Sequence, residues 1–313
     1  MPKITISAHA KVNLFLEIKG KRKDSFHEIV TLYQEIGLYD EICLTRTRGY
    51  DVIFHSEPPF VIDPSRNLCL YAFEALRQRI RLRDGLEISL KKNIPIGSGL
   101  GGGSSDAAAV IKGANQLFGL GLREDEMESI AAEVGSDVPF FIRGGTAIGR
   151  GRGTELEHLP DFAGGFCVVV LKPKFSISTE EAYRWVDDCE VPSLPLRKQG
   201  CGSGEVRKYD EQHDEGTREL DPRELKENFK KGNIEYLAGI LHNDFEQFVF
   251  PRHHELEQLK EKLIKSGCRG ALLAGSGSAL FGICDSESAA AVALSQIKGD
   301  FELAGFYKAG EIE

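Results

Sequence analysis

The stretch Pro95-Ile96-Gly97-Ser98-Gly99-Leu100-Gly101-Gly102-Gly103-Ser104-Ser105-Asp106 constrains this chain more than any other. Five of the seven residues from Gly97 to Gly103 are glycine, and the alanine-rich run from Ala107 to Ile111 predicts a helix behind them. Without a Cβ, successive backbone N–H groups can turn toward one anion. The start of the helix adds unpaired N–H groups and the positive end of its dipole. A loop of this kind is suited to phosphate and points to a nucleotide enzyme.

Phosphate loops differ in their endings. A Walker A loop closes on Gly-Lys-Ser/Thr, whereas Gly103 here precedes Ser104, so that type is excluded. Gly97, Gly99 and Gly102 satisfy G-x-G-x-x-G, but the pattern follows some 95 residues of other structure instead of a first strand. Glu124, near the spacing of a ribose-binding acid, lies in a polar run that reads as a helix start. A dinucleotide fold and a plain glycine turn stay open as competing readings of the loop alone.

The chain has 313 residues, room for two domains of ordinary size. An apolar fraction of 41% suits a globular protein with real cores, and a net charge of −9 argues against a general nucleic-acid binder. No apolar run reaches the roughly 18 residues of a membrane span, and Ile4–Ala8 alternates like a strand instead of a signal peptide. The seven cysteines are widely spaced, without Cys-x-x-Cys, which predicts reduced thiols in a cytoplasmic protein. Cys167 and Cys284 sit in apolar strand-like runs and read as small core residues. His253-His254 reads as a solvated helix face, and no histidine spacing suggests a metal.

Strands are expected at 3–18, within 28–47 (with a turn at Gly37–Asp40), at 86–90, at 165–171, on both sides of Gly275–Ser278, and near 301–308. Helices are expected at 67–81, 105–118, 123–134, 223–231, 233–248, 253–266 and 286–297. Strands and helices intermix without regular βα repeats, which predicts an α+β chain of two domains, 1–155 and 156–313. Residues 187–223 are polar and charged and read as a mobile insertion.

Four segments together resemble the GHMP kinase superfamily. Pro95–Asp106 resembles its ATP motif, Ala10-Lys11-Val12-Asn13-Leu14 its first motif, and Gly275-Ser276-Gly277-Ser278-Ala279 its third. Gly135-Ser136-Asp137-Val138-Pro139-Phe140-Phe141 resembles the Gly-x-Asp-Val-Pro-Phe segment of one branch. Phe26-His27-Glu28 and the triple glycine Gly101–Gly103 narrow the resemblance to the branch whose acceptor is a cytidine-diphosphate-linked methylerythritol. The resemblance implies a two-domain fold with ATP and this small-molecule substrate in the cleft between domains. It implies phosphorylation of the acceptor's 2-hydroxyl in the non-mevalonate isoprenoid route, with magnesium; the charge and the lack of a long apolar run predict neither a nucleic-acid nor a membrane partner. Mevalonate- or homoserine-type kinases, or a nucleotide-binding module without turnover, are the alternatives.

A carboxylate can take the proton that an attacking hydroxyl must lose. Asp137 follows a helix end and precedes Pro139, which stiffens its loop; a turn-capping role is the competing reading. Lys11 lies among apolar strand residues, where a lysine needs a partner unless it is an edge residue facing water. The resemblance implies that Lys11 pairs with Asp137 and that both are catalytic. It assigns Pro95, Gly97, Ser98, Gly99, Leu100, Gly101, Gly102, Gly103, Ser104 and Ser105 to the nucleotide, and Asn67 and Lys92 to the neighbourhood of its adenine. Ser104 and Ser105 are both candidate magnesium ligands. Asn13, Phe26, His27, Thr179 and Tyr183 are implied on the acceptor side. An aromatic ring at 26 can stack on a pyrimidine and an imidazole can bond its edge. The family usually has tyrosine at the position of Phe26, so the stacking is kept and a hydroxyl is lost.

Overall fold

The computed structural model describes residues 2–59, 67–189 and 220–310. Its frame is a long antiparallel pair, β1 (Lys3–Lys21) and β2 (His27–Thr47). The turn expected at Gly37–Asp40 is instead part of β2. His9 faces Tyr39 and Ala10 faces Ile36, so Gly37 and Leu38 form a bulge that bends the strand without reversing it. A second irregularity adds Leu14 between Asn13 and Phe15, and both Leu14 and Phe15 are buried.

The chain continues through β3 (Val52–Glu57), α1 (Leu68–Ile80), β4 (Gly85–Lys91), α2 (Gly102–Phe118), α3 (Glu124–Val134) and the short α4 (Phe140–Arg143). The hairpin β5 (Thr146–Arg150) and β6 (Glu155–Leu159) follows, where the sequence showed only glycines. Then come β7 (Phe166–Pro173), α5 (Thr179–Cys189), α6 (Pro222–Lys230), α7 (Ile234–Gly239), β8 (His242–Asn243) and α8 (Glu246–Val249). The last elements are α9 (His254–Lys265), β9 (Gly270–Leu273), β10 (Leu280–Cys284), α10 (Glu287–Gln296) and β11 (Phe301–Ala309).

The strands share one mixed sheet in the order β3-β4-β2-β11-β7-β10-β9, with β1 and β5 also paired to β2. The α+β class is thus as expected. β11 runs along β7 but meets β2 at a single pair, Ala309 with Ile36. Helix α2 lies on β1 and β2, and a Cβ at Gly113 would sit 2.6 Å from Leu44 Cδ1, so glycine there permits the close approach.

Two expectations are corrected by packing. The helix expected at 233–248 is broken because buried Asn243 takes extended backbone beside Leu16 and donates to the carbonyls of Leu273 and Gly275, both at 2.8 Å. His253 precedes α9 and stacks on Phe175 with ring centroids 5.0 Å apart, so it is part of an aromatic cluster, whereas His254, the first residue of α9, is exposed as expected. Of the segment 187–223, residues 190–219 lie outside the described residues. Its edges are helical: Asp187–Cys189 end α5, and Asp221 caps α6 by accepting from the Arg223 N–H. Cys43, Cys69, Cys167, Cys268 and Cys284 form no disulfide, and Cys167 and Cys284 are core residues as expected.

Candidate active site

The glycine loop obtains its shape from three left-handed glycines, Gly97, Gly99 and Gly101, with φ of 65°, 79° and 74°. Gly101 is the N-cap of α2, which therefore starts three residues earlier than the alanine run suggests. The N–H of Ser105 pairs with the Gly101 carbonyl at 2.9 Å, leaving those of Gly102, Gly103 and Ser104 outside the helical ladder. These donors border a cavity of about 860 Å³. Pro95, Gly97, Ser98, Gly99, Gly101, Gly102, Gly103 and Ser104 line it. Leu100 and Ser105 do not: the Leu100 side chain is core, and Ser105 is buried in the first turns of α2.

A second glycine turn, Gly275–Ser278, packs against this loop. The Ala279 N–H donates to the Ser98 carbonyl at 3.1 Å, and Gly275 and Ser276 line the same cavity. Thr179, the first residue of α5, brings its hydroxyl within 3.2 Å of Ser276 Oγ.

Lys11 and Asn13 fall on one side of β1, and Tyr33 lies directly opposite Asn13 on β2. Lys11 is only 4% exposed. Its ammonium donates to Asn13 Oδ1 at 2.6 Å and lies 3.7 Å from Asp137 Oδ2. Asn13 in turn donates to Thr31 Oγ1 at 2.8 Å. The Tyr33 hydroxyl donates to Asp137 Oδ1 at 2.9 Å. Burial lowers the Lys11 pKa, and the Asp137 charge offsets part of that. Burial first, and then Asp137, push the Tyr33 pKa well up, so its hydroxyl stays a donor. Asp137 is more than a turn cap: its two oxygens are shared between a phenol and an ammonium from paired strands.

His27 and Tyr183 also line the cavity. Their rings stack directly, with centroids 4.5 Å apart and an interplanar angle of 17°. That face of Tyr183 is covered by His27 and is not open to a base in this arrangement. Phe26 is 48% exposed and carries the Arg152 guanidinium 4.5 Å from its ring centroid.

Asn67 caps α1 by accepting from the N–H groups of Cys69 and Leu70. Lys92 sits between two buried carboxylates, Asp40 and Asp106, the latter at 2.9 Å. Asp40 also accepts from the N–H groups of Asn93 and Ile94, which fixes the entry to the glycine loop. Asn67 and Lys92 both line the cavity.

Two family models match in chain order: the GHMP kinases N terminal domain over residues 67–145 and the GHMP kinases C terminal domain over 225–303. A 4-diphosphocytidyl-2-C-methyl-D-erythritol kinase of Acetivibrio thermocellus is 34% identical, covering 95% of this chain and 96% of its own. One of Synechococcus sp. strain JA-2-3B'a(2-13) is 36% identical, covering 98% and 93%. The chain belongs to the 4-diphosphocytidyl-2-C-methyl-D-erythritol kinase family of GHMP kinases. A crystal structure titled 4-(cytidine 5'-diphospho)-2C-methyl-D-erythritol kinase superposes with a TM-score of 0.74 at 27% identity, covering 98% of this chain and all of the other. A mevalonate kinase of L. major, at 16% identity and a TM-score of 0.70, shares the fold.

Several residues beside this kinase-family site escaped the sequence reading. Tyr33 was hidden in a strand, and only its register opposite Asn13 brings it to Asp137. Asp187 lies four residues after Tyr183, a helical spacing that could have placed both on one face. Asp40 and Asp106 carry no motif of their own that reveals their convergence on Lys92.

Burial, together with the Asp40 charge, pushes Asp106 up to about 7 against the pull of Lys92. Its Oδ1 has no hydrogen-bond partner among the described residues. A folded pKa above the ordinary carboxylate value means that the native state binds the extra proton between the two. This group's contribution is therefore complete below about pH 4 and lost as pH rises through about 7. Asp106→Asn should remove that decline, so the melting-temperature difference between variant and wild type should shift in the variant's favour from pH 5 to pH 8. A pH-independent difference would contradict the assignment.

Proposed function

We propose that this chain transfers the γ-phosphoryl group of ATP to the 2-hydroxyl of 4-diphosphocytidyl-2-C-methyl-D-erythritol. One observation carries the reading: a carboxylate held by Lys11 and Tyr33 shares a cavity with the unpaired N–H groups at the start of α2. Phosphates are taken by the glycine loop, as backbone donors and the helix end favour. As the acceptor oxygen attacks the γ-phosphorus, its proton passes to Asp137 while ADP leaves. Lys11 balances the negative charge of Asp137, and Tyr33 holds its other oxygen in place. Asn13 orients the Lys11 ammonium.

Magnesium would neutralise charge developing on the phosphates. No cluster of three or more His, Cys, Asp or Glu that could cage a metal occurs among the described residues. Such an ion would be held chiefly by the nucleotide's own oxygens, with the hydroxyl-bearing Ser104 beside them, a donor set that suits magnesium. The division into 1–155 and 156–313 is our reading as well, supported by two family models that match on either side of it, over 67–145 and 225–303. The unbridged cysteines and the use of ATP favour the cytoplasm. Among the described residues no helix is long and apolar enough to cross a membrane.

The test is turnover of purified protein with ATP and each of three acceptors: the cytidyl methylerythritol, mevalonate and homoserine. Phosphorylation of the cytidyl compound alone is expected, with the product's new phosphate ester located by phosphorus NMR. Turnover of mevalonate or homoserine in its place would overturn the substrate assignment. ATP binding without turnover of any acceptor would overturn the kinase reading.

A further inference from the structure

We propose that Asp187 is a specificity-determining positioning residue: it fixes the tautomer of His27 and thereby makes the site select cytosine over uracil. The inference rests on the reading above, in which His27 meets the edge of the base.

Asp187 lies on α5, one turn after Tyr183. Its Oδ1 is 3.0 Å from His27 Nε2, and its Oδ2 accepts from the Lys21 ammonium at 2.6 Å. The two contacts tie both oxygens of one carboxylate to opposite ends of the β1–β2 turn, since Lys21 ends β1 and His27 begins β2. Burial works to raise the Asp187 pKa, but the hydrogen bonds from Lys21 and His27 outweigh it and lower the value. The group is therefore a carboxylate, which can only accept. Tyr183 stacked on the imidazole keeps the ring from turning over.

An acceptor at Nε2 decides where the imidazole proton resides, because the two ring nitrogens of a neutral histidine divide the roles of donor and acceptor. With the proton on Nε2, Nδ1 carries a lone pair. Nδ1 has no hydrogen-bond partner among the described residues, and His27 lines the cavity. Cytosine presents an exocyclic amine donor where uracil presents a carbonyl acceptor. A lone pair at Nδ1 accepts from the amine and faces the carbonyl with no proton to offer. A site built to bond one group rejects the analogue lacking it, because a buried polar atom is left unpaired. Lys21 has the supporting task of keeping Oδ1 turned toward His27.

The experiment compares kcat/KM for the cytidyl and uridyl substrates in wild type, His27→Ala, Asp187→Ala and Asp187→Asn, alongside nitrogen-15 shifts of the His27 ring. Asp187→Ala should cut the cytidyl preference by about tenfold or more, within the range of leaving one buried polar group unpaired. It should also move the two ring-nitrogen shifts toward each other as the tautomers mix. Asp187→Asn keeps an oxygen acceptor and should restore most of the preference. A role confined to docking α5 would instead weaken both substrates equally and leave the ratio intact; that result, or an unchanged ring tautomer in Asp187→Ala, overturns the proposal. If His27→Ala itself leaves the ratio unchanged, the reading of His27 fails, which is a separate result.

Discussion

Asp137→Asn should lower kcat by at least about 100-fold, the low end for removal of a general base, while the KM for ATP changes little. The amide is nearly isosteric and can still accept from the Tyr33 hydroxyl, so the loop should hold its place. What is lost is the capacity to take a proton, together with the negative partner of a nearly buried ammonium. Lys11 keeps its bond to Asn13, which limits the structural cost. In the proposed mode ATP is held by the glycine loop, which the substitution does not touch. Steady-state kinetics with both substrates varied, and circular dichroism to check the fold, make the measurement. A kcat within a few fold of wild type in a folded variant would remove Asp137 from the role of base. A large rise in the KM for ATP with kcat intact would place it on the nucleotide side.

Gly99→Ala should be the most damaging small change in the loop. Its φ of 79° lies where an L side chain is strained, and an added Cβ would fall 1.8 Å from the Ala274 carbonyl oxygen. Ala274 immediately precedes the second glycine turn, so the collision would push apart the two loops that form one wall of the cavity. We expect a loss of roughly 2–4 kcal/mol in stability, from left-handed strain and backbone displacement together. ATP affinity should fall as well, because the displaced loop no longer aims its N–H groups together. Gly103→Ala is the control. A Cβ there would meet only Leu68 Cδ1 at 3.7 Å, an ordinary contact, and the residue is already helical. Chemical denaturation of both variants should separate them clearly. Equal stability of Gly99→Ala and wild type would show that the loops are not locked against each other as described.

The sequence alone marked out the glycine loop as the candidate phosphate site, because phosphate binding by backbone favours glycine, and glycine density is visible without a fold. It determined the class of most elements, since helix stops such as Gly119 and the apolar run of β7 are local signals. It also set Lys11 and Asp137 apart as residues needing an explanation, one for its apolar company and the other for its stiff turn. Tertiary structure decided everything that depends on register or on contacts across distance. Bulges in the β1–β2 pair decide which residues face Asp137, and a shift of one residue would turn Tyr33 away. Asn243 breaks a helix because its partners are carbonyls some 30 residues on. The Asp40–Lys92–Asp106 cluster and the Asp187–His27 contact span from 14 to 160 positions of sequence. Local propensity cannot carry such pairings: buried charges and aromatic stacks are satisfied only by groups that the sheet brings together from far along the chain.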